Sequence, residues 1–294
     1  MSIIGDVKRG LNGVYSTVNR ILLINVAVFL IANITVNLLS MNGRGDLADG
    51  FTRLITLSGS PAKAGLFFWT FITYSFTHYG LLHILGNMLL FWYLGRMFSD
   101  HLGGARLAGT YLLGGIIGGV LFILISLFMQ GGDKFVLLGA SAAVTAVVIA
   151  IAAYTPDSMV YPFGIPVKLK WFALISFLLS SLIELSANTG GKVSHIGGAL
   201  FGFIYGTQLR TGKRPLEWFM NLFAPRRERR SRSKLRVEHV QHSRAVTAND
   251  ELYNQNKATI RRRIDEILDK ISRSGYDSLS RDEREFLQKN HDKT

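Results

Sequence analysis

One serine, two histidines and one asparagine are spaced along this chain as acyl-transfer chemistry would need them. Ser141 stands in Gly139-Ala140-Ser141-Ala142-Ala143, after a short polar gap from Gln130 to Lys134, and opens a run of Ala, Val and Ile that ends at Tyr154. His83 and Asn87 are four apart, so on a helix they share one face. His195 heads another apolar run, with Gly198 one turn further on. A hydroxyl is a weak nucleophile until a base takes its proton, and a neutral imidazole can do that near pH 7. The tetrahedral intermediate then needs donors aimed at its oxyanion. His83, Asn87 and the Ser141 amide at a helix N-terminus are the candidates. No Asp or Glu lies near these positions to complete a triad. A buried third charge in a membrane is costly, so Ser141 with His195 reads as a dyad. This chemistry asks for neither metal nor nucleotide. The chain has no cysteine, which excludes disulfides, cysteine zinc sites and a cysteine nucleophile. It also lacks the His-Glu-x-x-His pattern of zinc proteases.

Membrane-crossing helices must position these groups. The 294 residues are 48% hydrophobic, and the apolar residues come in blocks. A span needs about 20 mostly apolar residues. Six candidates follow: 21–39, 81–98, 107–129, 142–154, 171–185 and 195–209. The fourth and sixth are short or carry polar residues, as inner helices shielded by the others can. The polar first 20 residues precede a run long enough to stay in the membrane, so no cleaved signal peptide is expected. Lys8, Arg9 and Arg20 before the first span, and the Arg-rich stretch 226–230 after the last, put both ends in the cytoplasm. Arg96, Arg106, Lys168 and Lys170 flank inner loops, against Lys134 and Lys192 in outer ones. With that orientation His83, Asn87, Ser141 and His195 all lie a turn or so below the outer surface. Gly139, Gly198 and Gly202 are small enough to let helices meet there, and Gly114/Gly118 with Gly115/Gly119 mark a second close contact.

Between spans one and two, Gly65–His78 reads as an amphipathic piece in the outer interface, with Trp69 and Tyr74 at headgroup level. Residues 211–294 hold 20 basic and 13 acidic side chains. Pro215–Phe223 reads as an inner-interface helix. Residues 211–250 read as a basic linker. Residues 251–294 read as a helical hairpin with an Ile260, Ile264, Ile267, Leu268, Ile271 stripe. Gly275 stops its first helix, and a Ser280/Glu283 capping box starts the second, which bears Phe286 and Leu287. The chain thus divides into a cytoplasmic segment 1–20, a membrane domain 21–210, the linker and the hairpin.

Each group also has a bland reading. Ser141 alone is more often a helix cap than a nucleophile. His83 with Asn87 could be a polar clamp between helices. Glu184, near the outer end of span five, reads as interfacial. Gly43-Arg44-Gly45-Asp46 resembles the Gly-x-Gly-Asp of aspartyl intramembrane proteases, but it sits in a polar loop with no second Asp in a span. The Arg226–Arg236 cluster beside a last span attracts anionic lipid more simply than nucleic acid.

Taken together, His78-Tyr79-Gly80-Leu81-Leu82-His83-Ile84-Leu85-Gly86-Asn87, then Gly139-Ala140-Ser141-Ala142, then Ser194-His195-Ile196-Gly197-Gly198 with Gly202, resemble the rhomboid family of intramembrane serine proteases in order and spacing. The resemblance covers roughly residues 20–210. It implies an all-α membrane protein, a six-helix bundle that cleaves single-pass membrane proteins in or beside their spans, in a bacterial inner membrane. It implies Ser141 as nucleophile, His195 as base, and His83, Asn87 and the Ser141 amide on the oxyanion. Two positions depart from many members: Thr70 replaces an Arg after Trp69, and Thr145 replaces a Tyr that stacks on the base. The alternatives are a catalytically silent rhomboid-like protein that recruits membrane clients, and a transporter. The silent relative would be expected to lack the Ser or the His. The transporter would need polar groups in both halves of the membrane path.

Overall fold

The computed structural model describes residue 13 and residues 15–131, 134–182, 189–224 and 244–290. Residues 1–12, Glu184 and the Arg226–Arg236 cluster lie outside the described residues. The chain forms two compact units, divided after Arg232.

In the first unit six long helices follow one another: α1 (Ser16–Met41), then after a short helix α2 (Gly45–Ile55) and pieces α3 (Pro61–Leu66) and α4 (Thr70–Thr73), α5 (Leu81–Leu102), α6 (Gly104–Ser126), α7 (Ser141–Tyr154), α8 (Leu169–Leu182) and α9 (Thr189–Arg210). Among the described residues α1, α5 and α6 are long and apolar enough to cross a bilayer; α7 and α8 are apolar but shorter. Fourteen residues make a helix of about 21 Å, against a hydrocarbon layer of about 30 Å. The protein is an integral membrane protein with an all-α bundle.

The apolar patterns explain the layout. α7 is apolar all round, as an enclosed helix must be, and it is buried on every face from Ala142 to Val148. α1 and α8 turn Leu30, Ile31, Leu174 and Ile175 outward, as lipid-facing helices do. The core between them is aromatic and aliphatic: Phe91, Leu94, Phe98, Tyr111, Val147 and Ile151. α9 lies directly on α7. A Cβ added at Gly198, Gly202 or Gly206 would fall on the carbonyl oxygen of Ala142, Ala146 or Ala150. The four-residue repeat keeps this seam on one face.

A polar clamp ties the early helices. Asn25 donates to the Tyr111 hydroxyl (3.1 Å), which donates to the Ser75 carbonyl at 2.8 Å. All of it is buried, where a satisfied network holds one arrangement.

The segment between α1 and α5 differs from its expected form. It is not one amphipathic piece but α2, α3, α4 and a 3₁₀ turn, Tyr74–Phe76. Trp69 is partly exposed, its ring N–H donating to the Leu54 carbonyl. Tyr74 does not sit at headgroup level. It is fully buried and donates to the Gly115 carbonyl at 2.6 Å. Gly119 leaves room for its ring, and Gly115 for Ser75 beside it, that a larger residue on α6 would fill. A two-residue ladder, Leu57↔Leu137 and Ser58↔Val136, joins this segment to the approach to Ser141. Thr70, the first departure, is buried and donates to the Phe67 carbonyl at 2.6 Å.

After α9 the helix is shorter than expected: α10 is only Glu217–Met220, and Leu216 before it has φ +58°. Arg106 holds Glu217 with 3.0 Å contacts to both carboxylate oxygens. Met220 fills the space that Gly109 leaves on α6.

The second unit is a helical hairpin, α11 (Arg244–Ser274) and α12 (Arg281–Asn290). α11 starts seven residues before the expected position 251, inside the stretch read as linker. Ile264 and Ile267 are buried, while Leu268 is half exposed. Gly275, at φ +79°, ends α11. The capping box forms: Ser280 N–H donates to Glu283 (2.7 Å), and Glu283 N–H to the Ser280 hydroxyl (3.3 Å).

Candidate active site

Ser141 is the first residue of α7, and the cap position belongs to Ala140. The amide of a first helical residue has no acceptor within its own helix. So a hydroxyl and an outward N–H stand together at this helix end.

The turn before it is fixed from three sides. Gly139 has φ +113°, a conformation that suits glycine. Its N–H donates to the Tyr74 carbonyl at 2.9 Å. The Ala140 N–H donates to His78 Nε2 at 3.1 Å. That acceptor role puts the neutral imidazole's proton on Nδ1. His83 closes the third side: a Cβ at Gly139 would come within 2.7 Å of its Cε1 and 3.1 Å of its Nε2. The His78 and His83 rings meet edge to face, 5.1 Å between centroids. His78 lies in the connection before α5, where burial first, and His83 second, hold its pKa down to about 4.

Asn87 sits one turn beyond His83 and donates to the His83 carbonyl at 3.0 Å. It lines a small cleft of about 30 Å³ together with Ser141. Thr145, Ala173, Ser176, Phe177 and Ser180 complete much of that cleft between α5, α7 and α8.

His195 lies on α9 with 1% of its surface exposed. Among the described residues neither ring nitrogen has a hydrogen-bond partner. Its neighbour Ser194 fixes its depth: a Cβ at Gly118 would lie 2.8 Å from both the Ser194 carbonyl oxygen and the Ala142 Cβ. The residues next to Ser141 and His195 therefore meet across one glycine of α6. Gly198 and Gly202 hold the rest of the seam. No hydrogen bond joins Ser141 to His195. In resting sites such bonds are often long and tighten only with substrate. A buried polar group without a partner costs about 1–3 kcal/mol. Packing alone gives no reason for an imidazole here.

Chemically, the arrangement can pair a hydroxyl with a buried imidazole, beside an amide, a second imidazole and a carboxamide able to donate to an oxyanion. Among the described residues no group of three His, Cys, Asp or Glu converges as metal ligands would. Sequence reasoning put Tyr74 at the headgroups and His78 at the start of the first motif, and gave neither a part in holding the Ser141 turn. The only signal was the position of His78, five residues before His83 in a connection with no periodicity.

The matched families divide the chain in two. Residues 66–211 match the rhomboid domain, and residues 248–292 match a family of unknown function, DUF6576. RHOMBOID-like protein 12, mitochondrial, of Arabidopsis thaliana is 30% identical over 159 residues, 49% of this chain and 47% of that protein. Presenilin-associated rhomboid-like protein A, mitochondrial, of Danio rerio is 29% identical over 138 residues, 45% of this chain and 35% of its own length. Rhomboid protease GlpG of Yersinia pseudotuberculosis is 24% identical over 141 residues, 46% of each chain. The match spans less than half of each of these relatives. With this helical bundle around residues 66–211, the chain belongs to the rhomboid family.

Proposed function

We propose that the protein is an intramembrane serine endopeptidase that cleaves single-pass membrane proteins with Ser141 as nucleophile and His195 as base. The observation that carries this reading is the position of His195, buried with no partner on either ring nitrogen among the described residues, next to Ser194, which meets Ala142, the neighbour of Ser141, across Gly118. His195 takes the hydroxyl proton as Ser141 attacks the scissile carbonyl, then passes it to the leaving amine. Water releases the acyl-enzyme. The Ser141 amide, His83 and Asn87 donate to the oxyanion in both steps. The substrate reaches Ser141 sideways, through the cleft between α5 and α8, its helix locally unwound to free the scissile amide. The termini face the cytoplasm of a bacterial cell, and the Arg-rich stretch after the bundle meets anionic lipid rather than nucleic acid. The name of the Yersinia relative supports proteolysis; the names of the other two state no activity.

The test is cleavage of a model transmembrane substrate in proteoliposomes by the protein, Ser141→Ala and His195→Ala. Equal cleavage by the protein and Ser141→Ala would sink the mechanism. The silent, client-recruiting alternative predicts no cleavage by any of them and no fluorophosphonate labelling of Ser141.

A further inference from the structure

α7 and α8 are joined by a hairpin on the membrane face opposite Ser141. Its strands, Met159–Val160 and Val167–Lys168, pair Met159↔Lys168 and Val160↔Val167. Its tip turns through Phe163 at φ +53° and Gly164 at φ +83°, closed by the Ile165 N–H on the Pro162 carbonyl at 3.0 Å. Two left-handed residues in sequence make a type I′ turn, whose first central position favours Asn, Asp or Gly. Here it holds Phe, with a fully exposed ring. Tyr161 and Ile165 beside it are about 60% exposed. A bulky apolar side chain in a left-handed position, touching nothing in its own chain, calls for a partner from outside it.

The depth of the hairpin says what that partner is. The Tyr161 N–H donates to the Tyr93 hydroxyl at 2.9 Å. Tyr93 precedes Arg96 on α5 by three residues, about 4.5 Å, and precedes the helix end at Leu102 by about 13 Å. The tip thus folds back beside α5, on the membrane side of its first charged residue. The short α7 agrees: at about 21 Å from Ser141 to Tyr154 it stops short of a full hydrocarbon layer, so the chain that follows it starts inside the far edge. Trp171, half exposed in the first turn of α8, and Trp92, under the Arg96 guanidinium at 4.3 Å, complete an aromatic girdle there. The polar base of the hairpin suits headgroups, with Asp157 bonded to Lys170 at 2.9 Å.

We infer that the hairpin tip, Tyr161 to Ile165, is a lipid-inserted anchor seated in the acyl–headgroup boundary of the leaflet opposite Ser141. It fixes the foot of α8 against α5, so the side of the cleft nearer Ser141 is the side left free to open.

The absence of cysteine allows a clean test. Three single-cysteine variants, Phe163→Cys, Ile165→Cys and a hairpin-tail control, Gln288→Cys, are placed in phosphatidylcholine nanodiscs, where both faces meet water. A sulfonated, membrane-impermeant maleimide is expected to modify the thiols of Phe163→Cys and Ile165→Cys at least tenfold more slowly than that of Gln288→Cys. An environment-sensitive dye on the Phe163→Cys thiol is expected to be quenched by lipids nitroxide-labelled near the headgroup, and the same dye on Gln288→Cys to be unaffected. Modification at equal rates would overturn the proposal. Slow modification without lipid quenching would overturn it too, because it would mean that protein covers the tip.

Discussion

Gly198→Ala tests whether the α7–α9 seam sets the distance between Ser141 and His195. The added methyl falls on the Ala142 carbonyl oxygen, and within 3.0 Å of its carbon. Ordinary contact begins near 3.4 Å. Both atoms are backbone of packed helices, so no side-chain rotation relieves the clash, and α9 must move from α7 by on the order of 1 Å. Overpacking of this kind costs about 1–3 kcal/mol. The functional cost is larger, because a displacement of about 1 Å between reacting groups can cost roughly 10²-fold in rate. Gly206→Ala makes the same overlap, with Ala150, two turns further from His195. The expected result is a similar fall in thermal stability for both variants, but a loss of substrate cleavage and fluorophosphonate labelling that is at least tenfold greater for Gly198→Ala. Gly50→Ala in α2, where nothing lies within 4 Å, is the neutral control. If Gly198→Ala kept the wild-type rate, or if the two seam variants lost equal activity, the seam would not be what aligns the dyad.

Four further outcomes follow from named contacts. His78→Ala strands the buried Ala140 N–H next to Ser141, so it should cost about 1–3 kcal/mol in a melting experiment and slow fluorophosphonate labelling. The His78 pKa is depressed to about 4 in the folded protein, so unfolding binds a proton between there and 6.5. The stability it contributes is complete above about pH 6.5 and falls by at most roughly 3 kcal/mol as pH drops toward 4; His78→Gln, which keeps an acceptor, should flatten that dependence. Tyr111→Phe removes the donor to Ser75 and the acceptor for Asn25, and should cost about 1–3 kcal/mol by thermal melting. Ser280→Ala should weaken α12 by about 1 kcal/mol, read as faster amide exchange over residues 281–287 with no change in cleavage.

Much of the bundle is legible because membrane helices announce themselves by composition. The apolar runs 21–39, 81–98, 142–154 and 195–209 each fall within one long helix, the run from Leu107 outlasts α6 by three residues, the run from Trp171 extends beyond the described residues, and the four-residue spacing of Gly198 and Gly202 marks the face that meets Ala142 and Ala146. The hairpin tail is legible for a different reason: Gly275 and the Ser280/Glu283 box are local signals, decided within a few residues. The early start of α11 was hidden because residues 244–250 are polar and carry no apolar stripe.

The connection from α1 to α5 is where local reading fails, and the failure has one cause. Its aromatic residues would suit an interface, yet what decides their fate is space on a helix 41 residues away. Gly119 makes α6 thin enough to take the Tyr74 ring and Gly115 makes room for Ser75 next to it, and once that ring is buried its own backbone turns inward. The Tyr74 carbonyl then receives the Gly139 N–H, and His78, four residues on, receives the Ala140 N–H. Two glycines read as a packing device thus control the turn that presents Ser141. A side chain at Gly119 would press on Leu57 and Tyr74, and one at Gly115 on Ser75, so either would disturb the candidate nucleophile's turn without touching either reacting group.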